Sequence, residues 1–244
     1  MPQDVAYPPL DTPKPVAEGV WVVDSGPLRV LGLPVPLRMT VLRLADGGLW
    51  LHSPTRFSAS LVAALTALGP IRHLVSPGTA HWTHLQAWQA AFPEARLWAP
   101  HGVVERARDQ GTALRAHGVL GPEPPADWAG QIAQETLAGA GFVEIAFHHA
   151  ASRTLVLCDT VQAMGPARLP LPMALLVRVL GAAGPAGGTP RHVRLVLARH
   201  LDHNRAAVRR LLALDPARVV FAHGAWFEAD GAARLRRAFA WLRP

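Results

Sequence analysis

A chain of 244 residues, half of them hydrophobic, carries enough apolar side chain for one large core or two small ones. Its net charge of +7 comes almost wholly from arginine, Lys14 being the only lysine. The arginines at 205, 209 and 210 and at 234, 236 and 237 lie along amphipathic helices without clustered aromatics, which reads as solvated faces and speaks against a nucleic-acid surface.

The N-terminus, Met1 to Pro9, has neither a basic stretch nor an apolar one, so no secretory leader is expected and the default location is cytoplasmic. Strands are expected at Gly19 to Val23 and Leu28 to Leu33, separated by a Ser25-Gly-Pro turn. Two more, Arg38 to Leu44 and Leu49 to His52, flank Ala45-Asp-Gly-Gly48, a strong hairpin signal. From Ser58 to Leu68 the apolar residues fall at helical spacing and stop at Gly69-Pro70. A strand at Ile71 to Val75, a helix from His81 to Ala91, a short strand at Ala95 to Trp98 and a helix at His101 to Gln110 follow. A proline-rich loop at Gly121 to Asp127 comes next, and Phe142 to Phe147 with Thr154 to Cys158 forms a second hairpin.

Leu169 to Gly181 is short for a membrane span, starts among prolines and contains Arg178, so no stable membrane insertion is expected. A buried helix, a lid over a site and an interfacial segment all stay open for it. With the glycine-rich run to Pro190 it reads as a flexible insertion at 169–190 within a single domain, 1–244. The tail alternates: a strand at Val193 to Ala198, a helix at His203 to Leu214, a strand at 218–222 and a helix from Glu228 to Leu242. Hairpins mixed with strand–helix alternation argue for mixed sheets rather than one doubly wound parallel sheet. Two such sheets face to face, with helices outside, bury runs such as Leu155-Val-Leu157.

The residues that carry chemistry sit where strands end. His81 and His84, in Ser76-Pro-Gly-Thr-Ala-His-Trp-Thr-His84, are three residues apart, so on a helical turn both face one ion. Asp159 closes the run Thr154-Leu-Val-Leu-Cys158, and His223 closes Arg218-Val-Val-Phe-Ala222. Each has a structural alternative: Asp159 as a turn residue bonding backbone amides, His81 as a polar residue at a helix start or a group behind the ligands. Cys158 excludes a disulfide and a cysteine-rich zinc site, and reads as a small buried hydrophobe. His148 and His149 sit in a hairpin turn; His200 and His203 straddle Asp202, which can cap a helix. His52 ends a strand, and His73 lies inside one as a core or edge residue.

In element order, residues 18 to 242 resemble the metallo-β-lactamase superfamily, an αββα sandwich with metal in a groove at the strand ends. Its first motif, Thr-His-x-His-x-Asp-His, aligns with Thr79-Ala-His81-Trp-Thr83-His84, its strand-end aspartate with Asp159, and its final His-Gly with His223-Gly224. Thr79 stands where the first histidine belongs and Thr83 where the aspartate belongs. Cys158 replaces the usual glycine, and Leu137-Ala-Gly-Ala-Gly-Phe142 lacks the later Gly-His. The chain therefore looks like a divergent branch.

The resemblance implies an α/β fold, a four-layer αββα sandwich of two mixed sheets. It implies a mononuclear site of His84, Asp159 and His223, with His81 as a further ligand, and a position left for water. Zinc is favoured, with iron or manganese open. The aspartate missing at Thr83 leaves Asp159 as the catalytic base, or His148 or His149 where either lies near. The expected function is a metal-dependent hydrolase acting on an ester, lactone, amide or phosphoester of small-molecule size. The alternatives are a non-catalytic scaffold of the same fold that binds a small molecule or a protein, and a redox variant holding iron. Loops near Gly111-Thr112 and at 169–190 carry few polar groups, which points to an apolar substrate. Oligomeric state stays open.

Overall fold

The computed structural model describes residues 5–30 and 32–244. The reading of the first four residues, and the part of the Leu28 to Leu33 strand that falls on Leu31, lie outside them. Seven strands form the first sheet in sequence order: β1 (Lys14–Ala17), β2 (Val20–Val30), β3 (Leu33–Arg43), β4 (Leu49–His52), β5 (Ile71–Val75), β6 (Arg96–Pro100) and β7 (Gly118–Leu120). β1 to β4 pair antiparallel; β4 to β7 pair parallel, with α1 (Ala59–Thr66), α2 (Leu85–Ala91) and α3 (Val103–Asp109) in the connections. The expected β3–β4 hairpin closes by local chemistry: Asp46 Oδ1 accepts from the Gly48 N–H at 2.8 Å and Gly47 takes φ +81°.

The second sheet has four strands, β8 (Ile132–Gly139), β9 (Phe142–His149), β10 (Thr154–Val156) and β11 (Arg218–Val220), in the order β11-β10-β9-β8. β8, β9 and β10 are antiparallel neighbours, and β10 and β11 run parallel. The helices α4 (Leu171–Leu180), α5 (Arg191–Leu197), α6 (Leu201–Ala213) and α7 (Gly231–Ala238) belong to this half of the chain. Both sheets are mixed, as expected.

Burial separates three apolar layers. Leu42, Trp50, Val75 and Trp98 of the first sheet meet Ile132, Ile145, Phe147 and Val156 of the second, with Trp128 among them. Trp50 packs edge-on against Trp128 and Phe147, with ring centroids 5.9 and 4.9 Å apart. Outside, Leu61, Leu65, Leu85, Trp88 and Val103 cover the first sheet, and Val193, Leu197, Val208, Leu211 and Leu235 cover the second. The result is the four-layer αββα sandwich. Burying each such side chain contributes about 1.5–3 kcal/mol.

Several expectations are corrected. Val193 to Ala198 is not a strand but lies in α5: Pro190 starts the helix, and Val193 and Leu197, four apart, share its buried face. Ser25-Gly-Pro is not a turn; β2 runs through it with a bulge between Ser25 and Leu28. The helix placed from His81 starts only at Leu85, so Ser76 to His84 is a connecting loop. The last helix begins at Gly231 rather than Glu228, after Asp230 at φ +54°. β1, β7 and β8 went unanticipated.

Arg178 apart, α4 is apolar all round. It buries Met173, Ala174 and Val177 while leaving Leu171 71% and Val179 62% exposed, and it stops at Gly181 in the left-handed conformation. Among the described residues, no helix is long and apolar enough to cross a membrane.

Candidate functional site

The loop after β5 is built to carry His81 across to the second sheet. The Ser76 hydroxyl donates to the Gly78 and His81 carbonyls at 3.0 and 3.3 Å. The Pro77 carbonyl accepts from the Ile145 N–H, and the Thr79 N–H donates to the Val143 carbonyl. A side chain at position 78 would put Cβ 2.4 Å from the Val143 oxygen, so only glycine lets the loop lie this close to β9. His81 and His84 therefore do not share a helical face.

His81 instead meets two residues far away in sequence. Its Nε2 lies 3.4 Å from Asp159 Oδ2, and His223 Nε2 lies 2.9 Å from Asp159 Oδ1. The two imidazoles are 5.2 Å apart between centroids. Each has its other nitrogen committed: His223 Nδ1 donates to the Pro36 carbonyl at 2.7 Å, and His81 Nδ1 is 2.6 Å from Ser53 Oγ. Ser53, just past β4, holds φ +53°, an uncommon backbone state for a residue other than glycine.

Glu144 stands behind Asp159. It is 1% exposed, and its carboxylate accepts from the backbone N–H groups of Cys158, Asp159 and Thr160 at 2.9, 2.7 and 2.9 Å, and from the Thr160 hydroxyl at 2.7 Å. Four donors on one carboxylate fix the turn that presents Asp159. Arg38 does the same for His223: its Nη1 donates to the carbonyls of Phe221 and Gly224 at 3.1 and 2.6 Å, while Nη2 pairs with Asp24 at 2.7 Å. Gly224, at φ +100°, admits no Cβ, which would fall 2.2 Å from the Ala163 oxygen.

The charges follow from these contacts. Burial pushes the Asp159 carboxyl up, but the His81 charge and hydrogen bonds from His223 and His81 hold it well below the usual range. Burial pulls His81 down; the charge and hydrogen bond of Asp159, with Glu144 beyond, more than offset this and leave it raised. For Glu144, burial and the neighbouring Asp159 charge leave it raised despite its donors. Burial, with the Asp159 and Glu144 charges, raises the Cys158 thiol well above its ordinary value, so it stays protonated. Among the described residues, the donor atoms lying within 4.8 Å of one another belong to His81, Cys158 and Asp159.

The remaining histidines divide clearly. His84 lines the same cavity as His81, Asp159 and His223, and burial, then the Arg56 and His81 charges, lower its pKa. His52 is buried against Trp50 and Phe147 and is lowered to about 3 by burial, then by the His81 charge. His148 and His149 pair with Leu155 and Thr154, at the opposite end of β10 from Asp159, which removes them as its substitutes. His73 Nδ1 accepts from Trp98 Nε1 in the core, and His200 and His203 are exposed. The sequence reading overlooked Ser53, Glu144 and Arg38. Glu144 had a signal, as the lone carboxylate in the apolar run Phe142 to Phe147; Arg38, which shares its strand with Arg43, and Ser53 had none.

These groups open into a cavity of about 450 Å3. Its polar wall includes Ser53, His81, His84, Asp159 and His223, with Thr55, Thr83, Gln162 and His192, and its apolar wall comes from the β2–β3 hairpin and α4. A larger hollow of about 1090 Å3, lined by Arg72, Gln89, Arg96 and Asp127 among others, contains none of the strand-end residues.

Solved structures share this architecture. The metallo-β-lactamase DIM-1, in a crystal exposed to ceftazidime, is 16% identical over 95% of each chain, with a TM-score of 0.64. A metallo-β-lactamase from Pontibacter korlensis is 14% identical over 95% of this chain and 98% of its own, at 0.61. The mono-zinc form of FIM-1 from Pseudomonas aeruginosa is 13% identical over 95% and 94%, also at 0.61. The fold is that of the metallo-β-lactamases. No curated protein sequence matches the chain. The family described as Domain of unknown function (DUF4336) matches over residues 17–178, more than half of the sequence, and the chain belongs to it.

Proposed function

We propose that the chain is a metal-dependent hydrolase with a mononuclear site held by His81, Asp159 and His223. One observation carries the reading: two imidazoles have their Nδ1 atoms engaged and aim their Nε2 atoms at the two oxygens of one carboxylate. The Pro36 carbonyl only accepts, so His223 Nδ1 carries a proton and its neutral form turns an Nε2 lone pair toward Asp159. Ser53 Oγ can hold His81 in the same tautomer. Facing lone pairs repel unless a proton or a cation lies between them, and histidines oriented through their second nitrogen are the usual metal donors. Two imidazoles and a carboxylate fit zinc, with iron or manganese also compatible. When bound, the ion supplies Lewis acidity that makes water nucleophilic near neutral pH.

The chain's own residues do the rest. Glu144 and Arg38 hold Asp159 and His223 in place before substrate arrives. Both Asp159 oxygens already face imidazole nitrogens, so Asp159 positions the two histidines. His84, kept neutral by burial and neighbouring charge, is the proton acceptor for water in the same cavity.

Elemental analysis of the purified chain, beside a His81→Ala, His223→Ala variant, tests the reading. About one ion per chain, lost in the variant while circular dichroism stays unchanged, together with ester or lactone hydrolysis that a chelator abolishes, is expected. An ion-free chain after growth with zinc, iron and manganese would overturn it.

A second reading is favoured by Ser53, whose strained backbone and 2.6 Å contact with His81 continue to Asp159 as a serine–histidine–aspartate chain. There the Ser53 oxygen would attack a carbonyl while its proton passes to His81 Nδ1, which returns it to the leaving alcohol; water, giving a proton to His81, then cleaves the acyl-serine to the acid, and that proton restores the Ser53 hydroxyl. Hydrolysis that survives the chelator but not Ser53→Ala would select this second reading.

A further inference from the structure

We infer that the compound processed here is a single-chain acyl or alkyl compound, a straight apolar chain ending in an uncharged ester, lactone or amide. The inference deepens the hydrolase reading and relies on it for the chemistry; the chain-binding part stands on the cavity alone. Val35 and Leu37 from β3, Met164, and Met173, Val177 and Leu180 from α4 form one continuous apolar wall. Several of these also pack together as a cluster beneath α4, so the wall is not a scatter of isolated groups. Ser53, His81, Asp159 and His223 form the other patch, linked in that order by polar contacts. A ligand that satisfies both patches has one polar, cleavable end and one apolar tail.

Charge narrows the class further. Among the described residues, neither lysine nor arginine lines the cavity, and its one acidic group is Asp159. A phosphoester brings negative charge and is ordinarily met by arginine, lysine or helix N-termini; here only the histidines and the proposed ion face it, at the polar end. Nothing along the apolar wall answers that charge, so a neutral chain fits the wall best. A volume of about 450 Å3 suits a small molecule rather than a polymer. The two methionines in the wall adapt to chains of different shape. Leu176 both lines the cavity and is 39% exposed, so a longer tail leaves past α4 instead of meeting a closed end.

The test is calorimetric titration with straight 1-alkanols, from butanol to dodecanol, on the chain as purified and after chelator treatment. Affinity is expected to rise about fourfold per methylene, from about 0.8 kcal/mol for each one buried, and then to level off. The same slope is expected with and without chelator. Leu176→Trp and Leu180→Trp, at partly exposed positions where folding is easily checked, are each expected to make affinity level off at a shorter chain. A flat series in folded protein overturns the inference, as does an unchanged series in both variants or tighter binding of phenyl phosphate than of octanol. Chain-length-dependent binding without any ester hydrolysis supports the inference and counts against the hydrolase reading, so the two fail separately.

Discussion

Two carboxylates, one in the middle of a strand and one past a strand end, are each held between two basic partners, and the partners differ in kind. Asp24, 2% exposed on β2, is bound by Arg38 at 2.7 Å and by Lys14 at 2.5 Å. Asp159 is bound by His81 and His223. Arginine and lysine keep their protons at any physiological pH, so the charge on Asp24 is answered permanently. Arg38 can then act as a strut, reaching the carbonyls on both sides of His223. A neutral imidazole can offer a lone pair in place of a proton, so what lies between Asp159 and its partners is exchangeable. One carboxylate fixes the frame, and the other keeps partners that can change.

The largest expected effect comes from removing the strut. Arg38→Ala leaves Asp24 with Lys14 alone and uncaps the Phe221 and Gly224 carbonyls. Breaking a buried pair from one side costs about 3–5 kcal/mol, read as a lower midpoint in urea unfolding. A loss under about 1 kcal/mol would break the comparison, because Asp24 would then not depend on a permanent charge.

Glu144→Gln comes next. It keeps the side chain's size but points an amide N–H₂ at backbone N–H donors, and the loss is expected at about 1.5–3 kcal/mol in the same assay. Ion content should fall with it, since the Asp159 turn loses its support. Unchanged stability would mean the turn holds itself.

The smallest effect is a difference in pH dependence between the chelator-treated parent and Asp159→Asn. His81 is raised above 6.5, so its pairing with Asp159 contributes fully below pH 6.5 and is lost as pH rises through its folded value. Asp159 is lowered below 3.8, so its contribution is present above pH 3.8 and is lost as pH falls through its folded value. Glu144 is raised by burial and then by the Asp159 charge, which trims the parent's advantage as pH rises above 4.5. The advantage in melting temperature should therefore be greatest between pH 3.8 and 4.5 and shrink as pH rises, through 6.5 and beyond. His52, lowered to about 3, makes both proteins less stable as pH falls from 6.5, and it cancels in the difference. An advantage that grows above pH 6.5 would refute the pairing.

The sandwich was legible because its signals are local: the Asp46-Gly-Gly turn, the helix stop at Gly69-Pro70, the apolar runs ending in Asp159 and His223. β8 was not, because Gln134 and Glu135 make it look polar. Gln134 donates to the Gly121 and Glu123 carbonyls and Glu135 pairs with Arg210, partners that no local pattern reveals. The His81–His84 spacing pointed to the right loop for the wrong reason. Ser76 and Gly78 bend the chain onto β9, so His81 reaches Asp159 by a tertiary contact, while His84 sits at the start of α2. Ser53 was invisible because a serine after a strand is ordinary until its φ and its neighbour are known.

His81, Asp159 and His223 come from three distant stretches of the chain, so no fragment contains the donor set and an unfolded chain scatters it. On the proposed reading, a cation held by the three would be bound by the finished fold alone, and mass action would then oppose unfolding, by about 2.7 kcal/mol at a hundredfold excess over the dissociation constant. The chain's resistance to unfolding would thereby become a gauge of how much of that ion its surroundings supply.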